Sequence, residues 1–103
     1  MPQNIPKRND FIRILTRKGF TSKPRKGDHL GLYLMDEDGR KTGVSTGVCL
    51  GGRNTDLIGV WNKLARELCM SSSDLSDYNA CKKNQAWLLN KLRSESRIRQ
   101  RGQ

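Results

Sequence analysis

The chain has 103 residues, a length that fits one small domain with a modest hydrophobic core. Hydrophobic residues make up 34% of it, and its 20 basic and 10 acidic residues give a net charge of +10. This charge indicates a polyanionic partner such as nucleic acid, whereas the apolar segments are too short to span a membrane. The amino terminus has no apolar signal core, so we expect a cytoplasmic protein without a membrane partner.

The positive charge is concentrated at the two ends of the chain. Residues 1–27 carry eight basic side chains against one acid, and residues 82–103 carry seven against one, whereas residues 28–81 carry five against eight. Both ends are therefore available to a polyanion while the middle forms the body of the domain.

Three cysteines and a single histidine limit the metal and disulfide chemistry of the chain. Cys49, Cys69 and Cys81 cannot all pair with one another, and no two of them have the Cys-x-x-Cys spacing of a zinc site. We therefore expect reduced, partly buried thiols that act as small apolar side chains, with no metal and no cofactor.

The first half of the chain is predicted to be a helix followed by three antiparallel strands. Apolar spacing typical of a helix gives way to the alternation typical of strands, and an Asp-Gly pair marks a hairpin turn. The predicted bounds are residues 9–18 for the helix and residues 20–25, 28–35 and 40–46 for the strands.

The strand over residues 28–35 has the clearest pattern. Its three leucines alternate with residues of other types, which predicts that the leucines face the core. His29 and Tyr33 then share the opposite, open face of the sheet.

The glycine-rich residues 47–54 are predicted to form a loop. For the Gly-Gly-Arg-Asn stretch at 51–54, an ordinary loop is favoured over a phosphate cradle.

The second half of the chain is predicted to be helical. An apolar stripe indicates a helix over residues 55–69, and Trp61 lies on that stripe, which favours core packing over base stacking. Ser71 can cap a short helix. Asn84 can cap a last helix, in which Trp87 also lies on the apolar stripe.

These elements make an α+β fold, with a three-stranded antiparallel sheet and helices on one face. The order α-β-β-β-α, followed by a helical C-terminal addition, is the double-stranded-RNA-binding fold in outline. Residues 1–70 form the predicted core, residues 71–94 a helical extension of the same domain, and residues 95–103 a basic, flexible tail.

His29 lies at the end of a basic run, Lys-Pro-Arg-Lys-Gly-Asp-His. Histidine is the side chain whose unperturbed pKa lies closest to neutrality, so it can act as a general acid or base without a metal. Lys23, Arg25 and Lys26 precede it and can bind a phosphate and stabilise the charge of a phosphorane. A proton-transfer group within a phosphate-binding patch suits cleavage of RNA by its own 2′-hydroxyl.

The order of these motifs resembles the HicA-like toxins of type II toxin–antitoxin modules, over about residues 7–70. A helix ending in Lys-Gly-Phe at 18–20 is followed by a basic strand, by Lys-Gly-Asp-His at 26–29, by a hairpin and by a second helix. The resemblance implies an mRNA endoribonuclease that needs no metal. It also implies a cognate HicB-like antitoxin that covers the His29 face and excludes RNA.

The family's motif consists of a glycine, a small or polar residue and the catalytic histidine. Carried over by position, these are Gly27, Asp28 and His29. The chain departs from the pattern at Asp28, where serine is frequent, and at Leu30, where a second histidine often occurs.

The predicted site thus has one catalytic residue, His29, and a surrounding basic surface. Tyr33 shares the face of His29 and can stack on a nucleotide. The predicted RNA- and phosphate-binding residues are Lys23, Arg25, Lys26, Gly27, Tyr33, Arg40 and Lys41. Two alternatives remain: a non-catalytic RNA- or DNA-binding module of the same fold, and an adaptor whose charge binds an acidic protein.

Overall fold

A computed structural model describes residues 5–51, 56–80 and 82–98 of the chain. It has the predicted α+β architecture, with a helix, a three-stranded antiparallel sheet and then C-terminal helices. The elements are helix α1 (Arg8–Arg17), strands β1 (Phe20–Pro24), β2 (His29–Met35) and β3 (Lys41–Cys49), a 3-10 turn (Ile58–Val60), and helices α2 (Trp61–Glu67), α3 (Ser72–Asn79) and α4 (Gln85–Ser94).

The strand β2 occupies the centre of the sheet, between β1 and β3. Leu32 and Leu34 are fully buried, which confirms the predicted core face of this strand. His29 is exposed and Tyr33 is half-buried. Because successive side chains of a strand point to opposite faces, these two residues share the face that the leucines leave open.

One hydrophobic core fills the space between the sheet and the helices. Helix α1 packs against β1 and β2, α2 packs against β3, and α3 packs against α1 and α2. The rings of Phe11 and Trp61 meet edge to face with their centroids 5.6 Å apart. The Trp61 indole N–H donates a hydrogen bond to the Ser76 hydroxyl, 3.1 Å away. Trp61 is therefore a core residue, as predicted.

The C-terminal helices contribute to the same core. Leu75 of α3 and Leu88 of α4 are fully buried, and Trp87 packs against the core from its edge. Arg93 of α4 also forms a bidentate ion pair with Glu37 of the β2–β3 hairpin, with both N···O distances at 2.6 Å. Residues 71–94 are thus packed into one body with the sheet.

The first residues of the predicted flexible tail, 95–98, form a turn against α4. The Arg97 N–H donates a hydrogen bond to the Leu92 carbonyl, and Ile98 packs against the core. The remainder of the predicted tail lies outside the described residues.

The second predicted helix, residues 55–69, is shorter in the structure. The α-helix begins only at Trp61 and ends at Glu67, and a 3-10 turn precedes it. Gly59 lies in that turn between two β-branched residues, and glycine and β-branched residues both disfavour α-helix. The predicted start of the helix lies within residues 52–55, outside the described part of the chain.

The third strand is longer than predicted. Gly47 and Cys49, which were expected in a loop, continue the strand opposite Gly31 and His29. The stretch considered as a phosphate cradle lies mostly at residues 52–54, outside the described residues. No helix in the described ranges is long and apolar enough to cross a membrane.

Candidate functional site

A tight turn between β1 and β2 positions His29 at the start of the central strand. Gly27 in this turn has a φ of 74°, a left-handed conformation that favours glycine. The Arg25 N–H donates a hydrogen bond to the His29 carbonyl, 2.8 Å away, which closes the turn. Gly27 therefore shapes the backbone that presents the exposed imidazole.

His29 borders two depressions at the end of β3, close to α2. The smaller depression has a volume of about 260 Å³, and its lining is polar and charged. Its lining residues are Arg25, Lys26, His29, Gly47, Lys63 and Glu67. The structure thus brings His29 together with two of the predicted phosphate-binding residues.

The larger depression, of about 290 Å³, shares His29, Gly47 and Lys63 with the smaller one and adds apolar residues such as Val60. Arg8 closes one side of it. Arg8 is only 7% exposed. Its Nη1 donates to the Cys49 carbonyl, 3.0 Å away. The first turn of α1 therefore fixes the end of β3 beside His29.

Arg25 lies across two glycines on the open face of the sheet. Gly31 and Gly47 are paired on neighbouring strands. A Cβ on Gly31 would lie 2.5 Å from Arg25 Nε, and a Cβ on Gly47 would lie 2.7 Å from Nη1. Arg25 Nε donates to the Tyr33 hydroxyl at 3.1 Å, and Nη2 donates to the Ser45 hydroxyl at 3.3 Å. A planar guanidinium is thereby held in a fixed orientation, which suits phosphate binding.

The Tyr33 ring is contacted by two cations. Arg25 Cζ lies 5.1 Å and Lys41 Nζ lies 5.3 Å from the ring centroid. These are favourable cation–π distances. A nucleotide base that stacked on Tyr33 would therefore compete with the cations for the ring.

The remaining predicted residues are spread along the sheet. Lys23 is exposed on β1 and pairs with Gly31, so it lies on the open face beside Arg25. Lys41 pairs with Met35 at the other end of β2 from His29. Six residues of strand correspond to about 20 Å. Arg40 precedes Lys41 at the hairpin turn and does not join the cluster around His29.

Sequence reasoning missed two charged residues of the site, Lys63 and Glu67. They lie one helical turn apart on α2, so they share a side of that helix. The Thr46 hydroxyl of β3 donates a hydrogen bond to Glu67 Oε1, 2.6 Å away. Their i,i+4 spacing was readable from the sequence, but their place beside His29 depends on how α2 packs against β3.

The described residues contain no group of three His, Cys, Asp or Glu side chains placed to hold a metal ion. Cys69 is half-buried, as expected for a small apolar side chain, but Cys49 is an exposed free thiol. Cys49 is exposed because it lies on the open face of β3, opposite His29. Cys81 lies outside the described residues.

Comparisons with protein-family models, with curated proteins and with solved structures found no match to this chain.

Proposed function

We propose that this protein is a HicA-like endoribonuclease that cleaves mRNA without a metal, with His29 as a general acid or base. The observation that supports this most directly is an exposed imidazole in a depression that Arg25, Lys26 and Lys63 also line. Cations in this position can bind the scissile phosphate and stabilise the charge that develops on a phosphorane. A positioned histidine typically contributes about 10²- to 10⁴-fold to the rate of such a reaction.

The proposed reaction uses the 2′-hydroxyl of RNA as the nucleophile. The 2′-oxygen attacks the adjacent phosphorus, and the bond from phosphorus to the 5′-oxygen breaks. A base takes the proton of the 2′-hydroxyl, and an acid protonates the leaving 5′-oxygen. The products are a 2′,3′-cyclic phosphate and a 5′-hydroxyl, and His29 performs one of the two proton transfers.

The open face of the sheet extends this site along the strand of RNA. Lys23, Arg25 and Lys41 lie on that face, and they offer positive charge to the phosphates that flank the cleaved bond. Binding of single-stranded RNA through such contacts falls steeply with salt, with a slope of about 0.7 in log K against log salt for each phosphate neutralised.

The partner implied by this proposal is a HicB-like antitoxin in the cytoplasm. An acidic surface on the antitoxin would complement the open face and cover His29. Charge complementarity of this kind speeds association and opposes the binding of free RNA.

Two experiments test the proposal. Expression of the wild-type protein is expected to arrest growth and degrade mRNA, whereas His29→Ala does neither. The purified wild-type protein is expected to cleave single-stranded RNA in EDTA, and a substrate with a 2′-deoxyribose at the cleaved position is expected to stay intact. Because His29 is exposed, His29→Ala should keep the wild-type Tm. Cleavage by His29→Ala at the wild-type rate, or no cleavage by the wild type, would contradict the proposal.

A non-catalytic RNA-binding module is the second candidate, and the arrangement of Arg25 favours it. The hydrogen bonds to Tyr33 and Ser45 orient this guanidinium for an anion without any contribution from His29. Tight, salt-dependent binding of RNA without cleavage would identify such a module. Weak binding of nucleic acid with little salt dependence would instead indicate an adaptor for an acidic protein.

A further inference from the structure

We propose that Glu67 is the second proton-transfer group of the site: its carboxylate takes the proton of the 2′-hydroxyl while His29 protonates the leaving 5′-oxygen. This inference rests on the proposed endoribonuclease function and completes its chemistry. His29 can perform only one of the two transfers at a time, so the reaction needs another group.

The geometry brings Glu67 to the depression that His29 lines. Glu67 is the last residue of α2, and it lines the same depression as His29. Thr46 is only 1% exposed, so its hydroxyl is fixed in the core, and it donates a 2.6 Å hydrogen bond to Glu67 Oε1. The other carboxylate oxygen, Oε2, can then take the substrate proton. A flexible side chain at the end of a helix is thereby oriented for reaction.

The charges around the depression support a division of roles. Its titratable lining consists of three cations, Arg25, Lys26 and Lys63, together with His29 and Glu67. The cations can hold the phosphate but are poor acceptors of a proton. Glu67 contributes the carboxylate of this lining. Near neutral pH a carboxylate suits the role of a base, and an imidazole suits the role of an acid.

In the proposed step, one proton leaves the RNA at the 2′-oxygen and another enters it at the 5′-oxygen. Glu67 gains the proton of the 2′-hydroxyl as the 2′-oxygen forms its bond to phosphorus. His29 loses a proton to the 5′-oxygen as that oxygen leaves phosphorus. The RNA gains and loses one proton, and exchange with water restores both side chains.

Glu67→Gln is the variant that tests this role. The amide oxygen of Gln can still accept the hydrogen bond from Thr46, so the contact of α2 with β3 is preserved while the base is removed. We expect kcat to fall by about 10²- to 10⁴-fold, with KM, RNA affinity and Tm near wild type. The wild-type rate is expected to decline at low pH, and this decline should be lost in the residual activity of Glu67→Gln.

Two control variants separate chemistry from support. Glu95→Gln makes the same substitution at a carboxylate beyond α4 and should leave cleavage unchanged. Thr46→Val removes the hydroxyl donor but keeps the carboxylate. We expect it to lower kcat by about tenfold, because Glu67 is less well oriented, and to retain the decline at low pH.

A substrate with sulfur in place of the leaving 5′-oxygen tests which group is the acid. A thiolate leaves without protonation, so this substrate should restore cleavage by His29→Ala but not by Glu67→Gln. Restoration of Glu67→Gln instead would overturn the assignment of Glu67 as the base. Wild-type rates for Glu67→Gln beside an inactive His29→Ala would overturn this inference alone, whereas an inactive wild type would overturn the proposed function itself.

Discussion

The two faces of the β-sheet differ in composition although they are built from the same three strands. On the covered face, Leu32 and Leu34 of β2 are fully buried beneath the helices. On the open face, the intervening positions of β2 carry His29, Gly31 and Tyr33. Because side chains alternate along a strand, stability and ligand binding are assigned to alternate residues. Substitutions at neighbouring positions should therefore have effects of different kinds.

The open face also lacks some of the side-chain packing that normally stabilises a strand. Gly31 and Gly47 are paired across β2 and β3, and glycine weakens the interior of a strand. In return, the absence of two side chains makes room for the guanidinium of Arg25. At this pair of positions the sheet therefore accommodates a cation at the expense of strand stability.

The largest effect on stability is expected from the covered face. Leu32→Ala removes a fully buried side chain from the centre of the sheet. We expect it to lower the free energy of unfolding by about 2–5 kcal/mol, as large-to-small core substitutions do. Urea denaturation followed by circular dichroism measures this change.

Lys23→Ala, on the open face of β1, is the matched control for that experiment. It should change the free energy of unfolding by less than about 0.5 kcal/mol, because the side chain is exposed. Equal losses of stability in the two variants would show that the sheet faces are not divided in the way proposed here.

The next effect is expected on ligand binding rather than on stability. Gly31→Ala places a methyl group 2.5 Å from Arg25 Nε and 2.6 Å from the Tyr33 ring, so both side chains must move and the hydrogen bond between them is disturbed. The atoms that clash belong to side chains, and we expect a Tm close to wild type. RNA affinity should fall about tenfold, as for the loss of one hydrogen-bonded charge, and fluorescence anisotropy with a labelled RNA measures it.

A double-mutant cycle tests whether the effect passes through Arg25. Arg25→Ala should weaken RNA binding as Gly31→Ala does, and the double variant should be no weaker than either one. Gly59→Ala is the control glycine substitution, because a Cβ there meets no atom within 4 Å. Additive losses in the double variant would mean that Gly31→Ala acts through the Tyr33 ring, which the new methyl group also meets, rather than through the guanidinium.

The alternation in β2 made much of this division predictable from the sequence. The leucine pattern indicated the core face. Because His29 and Tyr33 alternate with those leucines, they were predicted to lie on the other face. The glycines at positions 31 and 47 gave no such signal, because a glycine near the end of a strand resembles the start of a loop. Gly47 was accordingly predicted to lie in a loop, but it continues β3 beneath Arg25.

The contribution of α2 to the site could not be predicted from local patterns. Lys63 and Glu67 line the same depression as His29 only because α2 packs along β3. That packing depends on contacts between distant parts of the chain, such as the hydrogen bond from Thr46 to Glu67. The shorter helix has a local origin instead, because Gly59 and its β-branched neighbours disfavour an α-helix and form a 3-10 turn.

A smaller effect is expected from a polar contact within the covered side. The fully buried Tyr78 hydroxyl donates a hydrogen bond to the Lys18 carbonyl, 2.8 Å away. Tyr78→Phe should lower the free energy of unfolding by about 1 kcal/mol, the usual contribution of such a bond. Chemical denaturation at pH 7 measures this loss, and an unchanged stability would mean that water satisfies the carbonyl equally well.

The pH dependence of the same variant provides a second measurement. Burial raises the pKa of the Tyr78 hydroxyl well above its ordinary value. The unfolded chain releases this proton near pH 10, so the stabilisation is complete below pH 10 and is lost as the pH rises further. Tyr78→Phe should therefore lose less stability between pH 9 and pH 11 than the wild type does.

The smallest effect is expected from a surface carboxylate, Glu95, which pairs with two cations and belongs to neither face of the sheet. Hydrogen bonds from Lys91 and then Arg97 lower the pKa of the Glu95 carboxyl. A lowered pKa stabilises the folded chain above the unfolded value, near pH 4.3, and the stabilisation is lost as the pH falls through the folded value. Glu95→Gln should therefore lower Tm slightly at pH 7 and not at all at pH 2. Because water and salt screen exposed charges, 1 M NaCl should also remove most of the difference at pH 7. A loss of stability as large as that of Tyr78→Phe would mean that surface ion pairs contribute as much to the stability of this basic chain as a buried hydrogen bond does. The cations of the open face would then also be expected to affect the free energy of unfolding.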